Sequence, residues 1–231
     1  MHVPDAFLDA PTSLATGAVA IAGVAVALRR SRGDIDDRVA PLAGLVATFV
    51  FAAQMLNFPV AGGTSGHLLG GALAAVLVGP WTATLCITVV LLVQALVFAD
   101  GGLTALGTNV TLMALVGVWV GWLVFLLARR VLPSRPGSVP VAAALGAFLS
   151  VPAAAGVFAC LFLVGGTAPV EASTLFGAML TWHVLIGLGE AVITFLVVSA
   201  VISVRPDLVR GAQHLARTAS PTANRAEAVT R

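Results

Sequence analysis

A histidine in second place, His2, offers one metal ion three nitrogens: the free α-amine of Met1, its own amide nitrogen and its imidazole Nδ1. Amine and amide close a five-membered chelate ring, and amide and Nδ1 close a six-membered one; both are flat and nearly unstrained. A fourth nitrogen from a distant imidazole completes a square plane. His67 could supply it, at the end of the loop Asn57-Phe58-Pro59-Val60-Ala61-Gly62-Gly63-Thr64-Ser65-Gly66-His67. Tetragonal nitrogen ligation suits late divalent metals such as nickel or copper rather than magnesium or calcium.

Such a chelate makes demands that the neighbouring residues meet. Histidine is bulky, so the initiator methionine is expected to be retained and its amine to be the true terminus. That amine ordinarily titrates at about 7.7–8; it must be deprotonated to ligate, so binding should weaken as pH falls. Pro4 and Pro11 stiffen the approach to the first apolar run. Residues 1–11 reach at most about 35 Å, enough to fold back into a bundle. Gly62, Gly63 and Gly66 let a terminus thread past the His67 loop. Thr64 and Ser65 are placed to cap a helix opening at His67 and to steer its ring, and Asn57 is a further supporting candidate.

Other polar residues sit in apolar surroundings. Glu190 lies mid-way along the last apolar run, where an ionisable group marks a functional candidate. His183 is seven residues earlier on the same helical face, so the pair could line an outward cavity; alternatively, Glu190 is protonated and bonded to a neighbouring helix. Asn109 and Gln54 read as interhelical hydrogen-bonding residues. Ala40, Ala43, Gly44 and Ala47 form a small-residue stripe that packs the bundle or docks a partner. Gly63-Thr64-Ser65-Gly66 matches the Gly-x-Ser-Gly pattern of rhomboid intramembrane serine proteases, with His183 as base, but that match leaves Met1-His2 unexplained. A passive membrane scaffold is the other alternative. No His-Glu-x-x-His motif and no phosphate-binding glycine–lysine loop is present.

The elements that must position these residues are membrane helices. Apolar residues make up 59% of the 231 and charged residues 10%, too greasy for a soluble domain. Seven spans are expected: Thr12–Leu28, Val39–Leu56, a short His67–Val78 broken by Gly79-Pro80, Trp81–Ala99, Leu106–Ala128, Val139–Val164 and Ala172–Val204. All twelve basic residues are arginines. They cluster between spans one and two, between spans five and six, and after span seven, which predicts an outside N-terminus and a cytoplasmic C-terminus. Asp5, Asp9, Asp100 and Glu171 fall on the arginine-free side, as do both halves of the chelate. No cleavable signal peptide is expected. Cys86 and Cys160 read as packing residues. The expected division is a chelating segment at 1–11, an all-α membrane domain at 12–205 and a disordered cytoplasmic tail at 206–231.

Met1-His2-Val3-Pro4-Asp5-Ala6-Phe7-Leu8, Asn57 through Gly71, Phe98 through Gly107, and Gly189-Glu190-Ala191 with Ile193-Thr194 resemble the cobalt/nickel substrate-capture subunits of energy-coupling-factor ABC transporters, the CbiM/NikM family. The resemblance covers the whole membrane part. It implies a seven-helix bundle, multi-pass in a prokaryotic cytoplasmic membrane, with an N-terminal segment inserted from outside. It implies a cobalt or nickel ion held by the Met1 amine, the His2 amide and imidazole nitrogens and the His67 imidazole, with no organic cofactor. The chain would be a transport subunit and not an enzyme. Its partners would be a membrane scaffold (T) subunit, ATPase subunits and a small separate membrane accessory subunit, with no nucleic acid. Two positions depart from the family pattern: Ala6 stands where glycine is usual, and Ala61 where proline is frequent.

Overall fold

The structure, a computed structural model, describes residues 1–33, 39–60 and 64–212. Those residues form helices α1 (Ala10–Ser31), α2 (Val39–Gln54), α3 (Gly71–Val78) and α4 (Pro80–Val97). A longer run, α5 (Leu106–Val131), follows. The last two are α6 (Ser138–Gly165) and α7 (Ala172–Val204). Five of them, α1, α4, α5, α6 and α7, are long and apolar enough to cross a membrane. Leu14, Leu96, Leu163 and Leu196 are 59% to 74% exposed on the outer faces of these helices. Water does not tolerate so much aliphatic surface on one small protein, and lipid does. The chain is a multi-pass membrane protein.

Local chemistry sets the helix ends. Asp9 caps α1, its Oδ1 accepting the Thr12 N–H at 2.9 Å, and Pro11 occupies the first turn, where no N–H is needed. Arg29 and Arg30 close α1 and Arg129 and Arg130 close α5, each pair at the negative end of its helix dipole. Within α5 the stretch Val110–Gly117 is π-helical, a widening frequent beside functional sites.

The short helix α3 organises the bundle. Its eight residues are all buried, and at 1.5 Å per residue it is about 12 Å long, well short of a hydrocarbon core of about 30 Å. It starts at Gly71, not at His67 as the apolar pattern suggests. Gly70 has φ 73°, a left-handed conformation that no helical turn can include. Residues 67–70 are held instead by side chains from α2 and α7. Helix α3 lies against α4, α5 and α6. The contact with α5 is backbone-close: a β-carbon on Gly121 would press on Ala72, and one on Gly71 would meet the backbone of Gly117 and Val118; α6 approaches α5 as closely, since a β-carbon on Gly146 would strike the Gly121 carbonyl. Helices α1 and α5 are joined by Thr16 Oγ1 to Thr108 Oγ1 at 2.7 Å and by Thr111 Oγ1 donating to the Thr16 carbonyl at 2.9 Å.

The expected disordered tail begins as folded chain. Residues Pro206–Leu208 and Arg210–Ala212 make single 3-10 turns. Val209 and Ala212 are buried, and Gly211 approaches Phe125 and Val76, so apolar residues of the tail cover the end of α3. The expectation for 213–231 lies outside the described residues.

Candidate metal centre

The first nine residues are drawn into the bundle by anchors on α5, on α6 and on the loops before α5 and after α6. The Asp9 N–H donates to the Gly165 carbonyl at 2.7 Å, and the Thr167 N–H donates to the Phe7 carbonyl at 3.0 Å. Thr167 Oγ1 donates to the Ala6 carbonyl at 2.7 Å. The Phe7 ring packs on Phe158 and Phe162 of α6, centroids 5.6 and 5.3 Å away. Asp5 Oδ1 accepts from Thr104 N–H at 2.7 Å and Thr104 Oγ1 at 2.6 Å. The Gly102 N–H reaches the Val3 carbonyl at 3.0 Å, and Asn109 grips Val3 from α5. Met1, Val3, Phe7 and Leu8 are buried as a result.

His67 arrives from the other side. Strands β1 (Phe58–Pro59) and β2 (Ser65–Gly66) pair antiparallel and carry the chain to it. Both oxygens of Glu190 then accept main-chain N–H groups, from Leu69 at 2.7 Å and Gly70 at 2.9 Å. Gln54 Nε2 donates to the Leu69 carbonyl at 2.7 Å. The His67 ring is oriented by its nearest neighbour: Nδ1 meets the Leu68 carbonyl at 2.7 Å. A carbonyl only accepts, so Nδ1 carries the hydrogen and Nε2 presents a lone pair. That Nε2 meets the Met1 amine. The His2 and His67 rings lie 4.5 Å apart between centroids, tilted by 31°.

The electrostatics favour neutral nitrogen. Burial pushes the Met1 amine well below its ordinary value, against the pull of Asp100 and Glu190. Burial, with the nearby amine, lowers His2 to about 3 and lowers His67 too. Uncharged amine and imidazole are the forms that ligate. The His2 N–H donates to Ser65 Oγ at 3.2 Å, so the amide proton already has an oxygen beside it. Gly101, at φ 90°, allows the ring to sit there: a β-carbon would stand 3.0 Å from His2 Nδ1. Among the described residues no group of three or more His, Cys, Asp or Glu side chains could hold a metal. Beside the two imidazoles stand main-chain nitrogens, the Met1 amine against His67 Nε2 and the His2 amide.

The remaining sequence candidates fall in different places. Thr64 and Ser65 do not cap α3 and do not orient His67, because α3 starts later and Leu68 serves the ring. Thr64 Oγ1 instead contacts Met179 Sδ at 3.7 Å. Asn57 Nδ2 donates to Asp100 Oδ2 at 3.1 Å, and that oxygen lies 3.6 Å from His2 Nε2. Asn109 and Gln54 bond loop backbone and not neighbouring helices. Glu190 likewise bonds the His67 loop, and both it and His183 are buried. His183 is fully buried, its Nδ1 at 2.7 Å from the Met179 carbonyl. No hydrogen bond joins it to Ser65 among the described residues, which removes the base that a protease reading needs. Ala40 and Gly44 are exposed on α2, whereas Ala43 and Ala47 are half-buried toward α4. Asp100 is the residue that sequence reasoning left out of the site. Its signal was its place in an acidic, glycine-rich motif, Phe98 through Gly107.

The family model described as "CbiM: Cobalt uptake substrate-specific transmembrane region" matches residues 2–208. The chain belongs to the CbiM family. A protein of Archaeoglobus fulgidus named as a fused nickel transport protein, NikMN, is 41% identical over 217 residues, covering 90% of this chain and 68% of that protein. The cobalt transport protein CbiM of Sorangium cellulosum is 42% identical over 130 residues, covering 56% of this chain and 59% of that one. A crystal structure described as a truncated transition metal transporter superposes with a TM-score of 0.81 at 31% identity, over 88% of this chain and 99% of that chain. Within the CbiM pattern, Ala6 stands at a position where the backbone turns left-handed, at φ 56°. That conformation explains why glycine suits the position. Ala61 lies outside the described residues.

Proposed function

We propose that this chain is the substrate-capture (S) subunit of an energy-coupling-factor ABC transporter that imports cobalt or nickel. The observation that carries this reading is the convergence of the Met1 amine, His2 and His67 Nε2 in one buried place. The ion is cargo: it is captured from outside by the Met1 amine, the His2 amide and imidazole nitrogens and the His67 imidazole, enclosed, and passed inward. Both relatives carry metal transport names, and the solved neighbour is a transition metal transporter.

In this reading the seven helices form one bundle, with α2 and α3 completing what the five long helices begin. The N-terminus faces outward, supported by arginines at the far ends of α1 and α5 and after α7. Residues 1–11 are the chelating segment, 12–205 the membrane domain, and the tail from Pro206 lies in the cytoplasm. The chain performs no chemistry on its cargo and needs no organic cofactor. A membrane scaffold (T) subunit and separate ATPase subunits supply the energy, Ala40 and Gly44 offer an open small-residue face for docking, and a small accessory subunit assists loading. Deprotonated amide ligation favours nickel in intrinsic affinity.

Titration of the purified chain with nickel and with cobalt, in competition, tests the reading. It expects one ion per chain, with nickel bound more tightly. Absence of both ions at stoichiometric protein would overturn it.

A further inference from the structure

The three chelating residues are almost sealed, with Met1 0%, His67 1% and His2 4% exposed. An ion needs a way in. One polar cavity touches the site from outside, about 280 Å³ in volume and lined by His2, Pro4, Asp5, Ser65, Asp100 and Gly102. Liquid water occupies about 30 Å³ per molecule, so the six waters of a hydrated divalent ion need about 180 Å³. The cavity is large enough to admit such an ion with its shell.

Its walls have the right chemistry. Asp5 and Asp100 bring two carboxylates. Asp5 is held at Oδ1 by two bonds from Thr104. Asp100 is steadied by Asn57 Nδ2 and is placed with Oδ2 3.6 Å from His2 Nε2. His2 Nε2 is itself buried and makes no hydrogen bond, although it lies beside this opening. The described arginines stand elsewhere, at the far ends of α1 and α5 and beyond α7. The larger grooves along the helix faces are apolar and offer an ion no ligand.

We propose that this acidic cavity is the inlet by which a hydrated divalent cation reaches the chelate, and that Asp100 is the carboxylate that first takes it and hands it to His2. The proposal rests on the capture reading. The carboxylate replaces water in the ion's shell one ligand at a time, while the sealed site behind it supplies nitrogen. A cleft lined by one sign of charge raises the local cation concentration and speeds association by about 10- to 1,000-fold, an effect that salt screens.

Stopped-flow mixing of the purified full chain with nickel, across a sodium chloride series, separates inlet from site. D100N is expected to associate about tenfold or more slowly at low salt, with a flattened salt dependence and an unchanged dissociation rate. D100E should restore fast, salt-sensitive association. E171Q, altered at an exposed carboxylate on the same side but outside the cavity, should match the parent chain. A D100N variant that associates at the parent rate with the parent salt dependence would overturn the inlet. So would a parent rate indifferent to salt, a measurement that needs no variant. If the parent chain binds no nickel at equilibrium, the capture reading itself falls.

Discussion

Asn109 holds both main-chain groups of Val3: its Oδ1 accepts the Val3 N–H at 2.8 Å, and its Nδ2 donates to the Val3 carbonyl at 3.2 Å. A side-chain amide thus pairs with the peptide as a neighbouring strand would. This two-point grip fixes His2 and Met1, one and two residues upstream. It stands where α5 turns π-helical, so the widened turn and the clamp share one place in the chain.

Asn109→Ala leaves the Val3 N–H buried without its partner, while the Val3 carbonyl keeps the Gly102 N–H. The loss of a buried partner costs about 1–3 kcal/mol, and here it falls on the ordering of the proposed chelating segment. The expected result is metal affinity lowered by about 10- to 100-fold with a smaller fall in melting temperature. Calorimetric titration beside a thermal scan checks it.

Glu190 performs the equivalent task for His67, with one carboxylate oxygen for each of two successive N–H groups. Glu190→Gln keeps the size but turns one acceptor into a donor facing the N–H of Leu69 or Gly70. The His67 loop should loosen, weakening metal binding and exposing residues 67–70 to faster amide exchange. Helices away from the loop should keep their protection.

Ala6 has φ 56° without the freedom of glycine. A left-handed residue that carries a β-carbon costs about 1–2 kcal/mol. Ala6→Gly should therefore raise the thermal midpoint of the metal-free chain by a few degrees and leave the ligand set unchanged. A fall in the midpoint would mean that the turn is not strained.

The pH dependence has a definite sign. The buried amine and imidazoles have lowered pKa values, so the unfolded chain binds protons more readily than the folded one. Stability of this region is complete above the ordinary values and declines as pH falls below about 6.5 for the histidines, with His2 resisting protonation down to about 3. Metal binding adds release of the His2 amide proton. With the amine already neutral, nickel affinity at pH 7–8 should rise about tenfold per pH unit, the slope of one released proton. A slope near two would show that the amine is charged in the metal-free site.

The proposed chelate is legible at the chain start because it is local: the amine, amide and imidazole of residues 1 and 2 adjoin one another whatever surrounds them. Membrane helices were equally plain from apolar run lengths, and the arginine clusters marked one end of the bundle. Where α3 begins was not legible. The apolar pattern runs smoothly from His67 into Val78, and it takes Glu190, over a hundred residues away, with Gln54 and left-handed Gly70, to keep the first four residues out of the helix. The same holds for Asp100, whose place beside His2 depends on a turn bonding to Val3 and Asp5 across the fold. Only the first residues of the tail, 206–212, depart from the expectation, because two apolar residues, Val209 and Ala212, sit in a polar stretch and still find the end of α3.

The most direct measurement is nickel binding by a chain carrying one additional residue before Met1, beside the unaltered chain. Every side chain is retained, the anchors from Val3 to Asp9 remain, and only the amine is moved out of its chelate ring. The account predicts loss of high-affinity nickel binding, with helical content and thermal unfolding of the metal-free protein unchanged. Binding at undiminished affinity would contradict it.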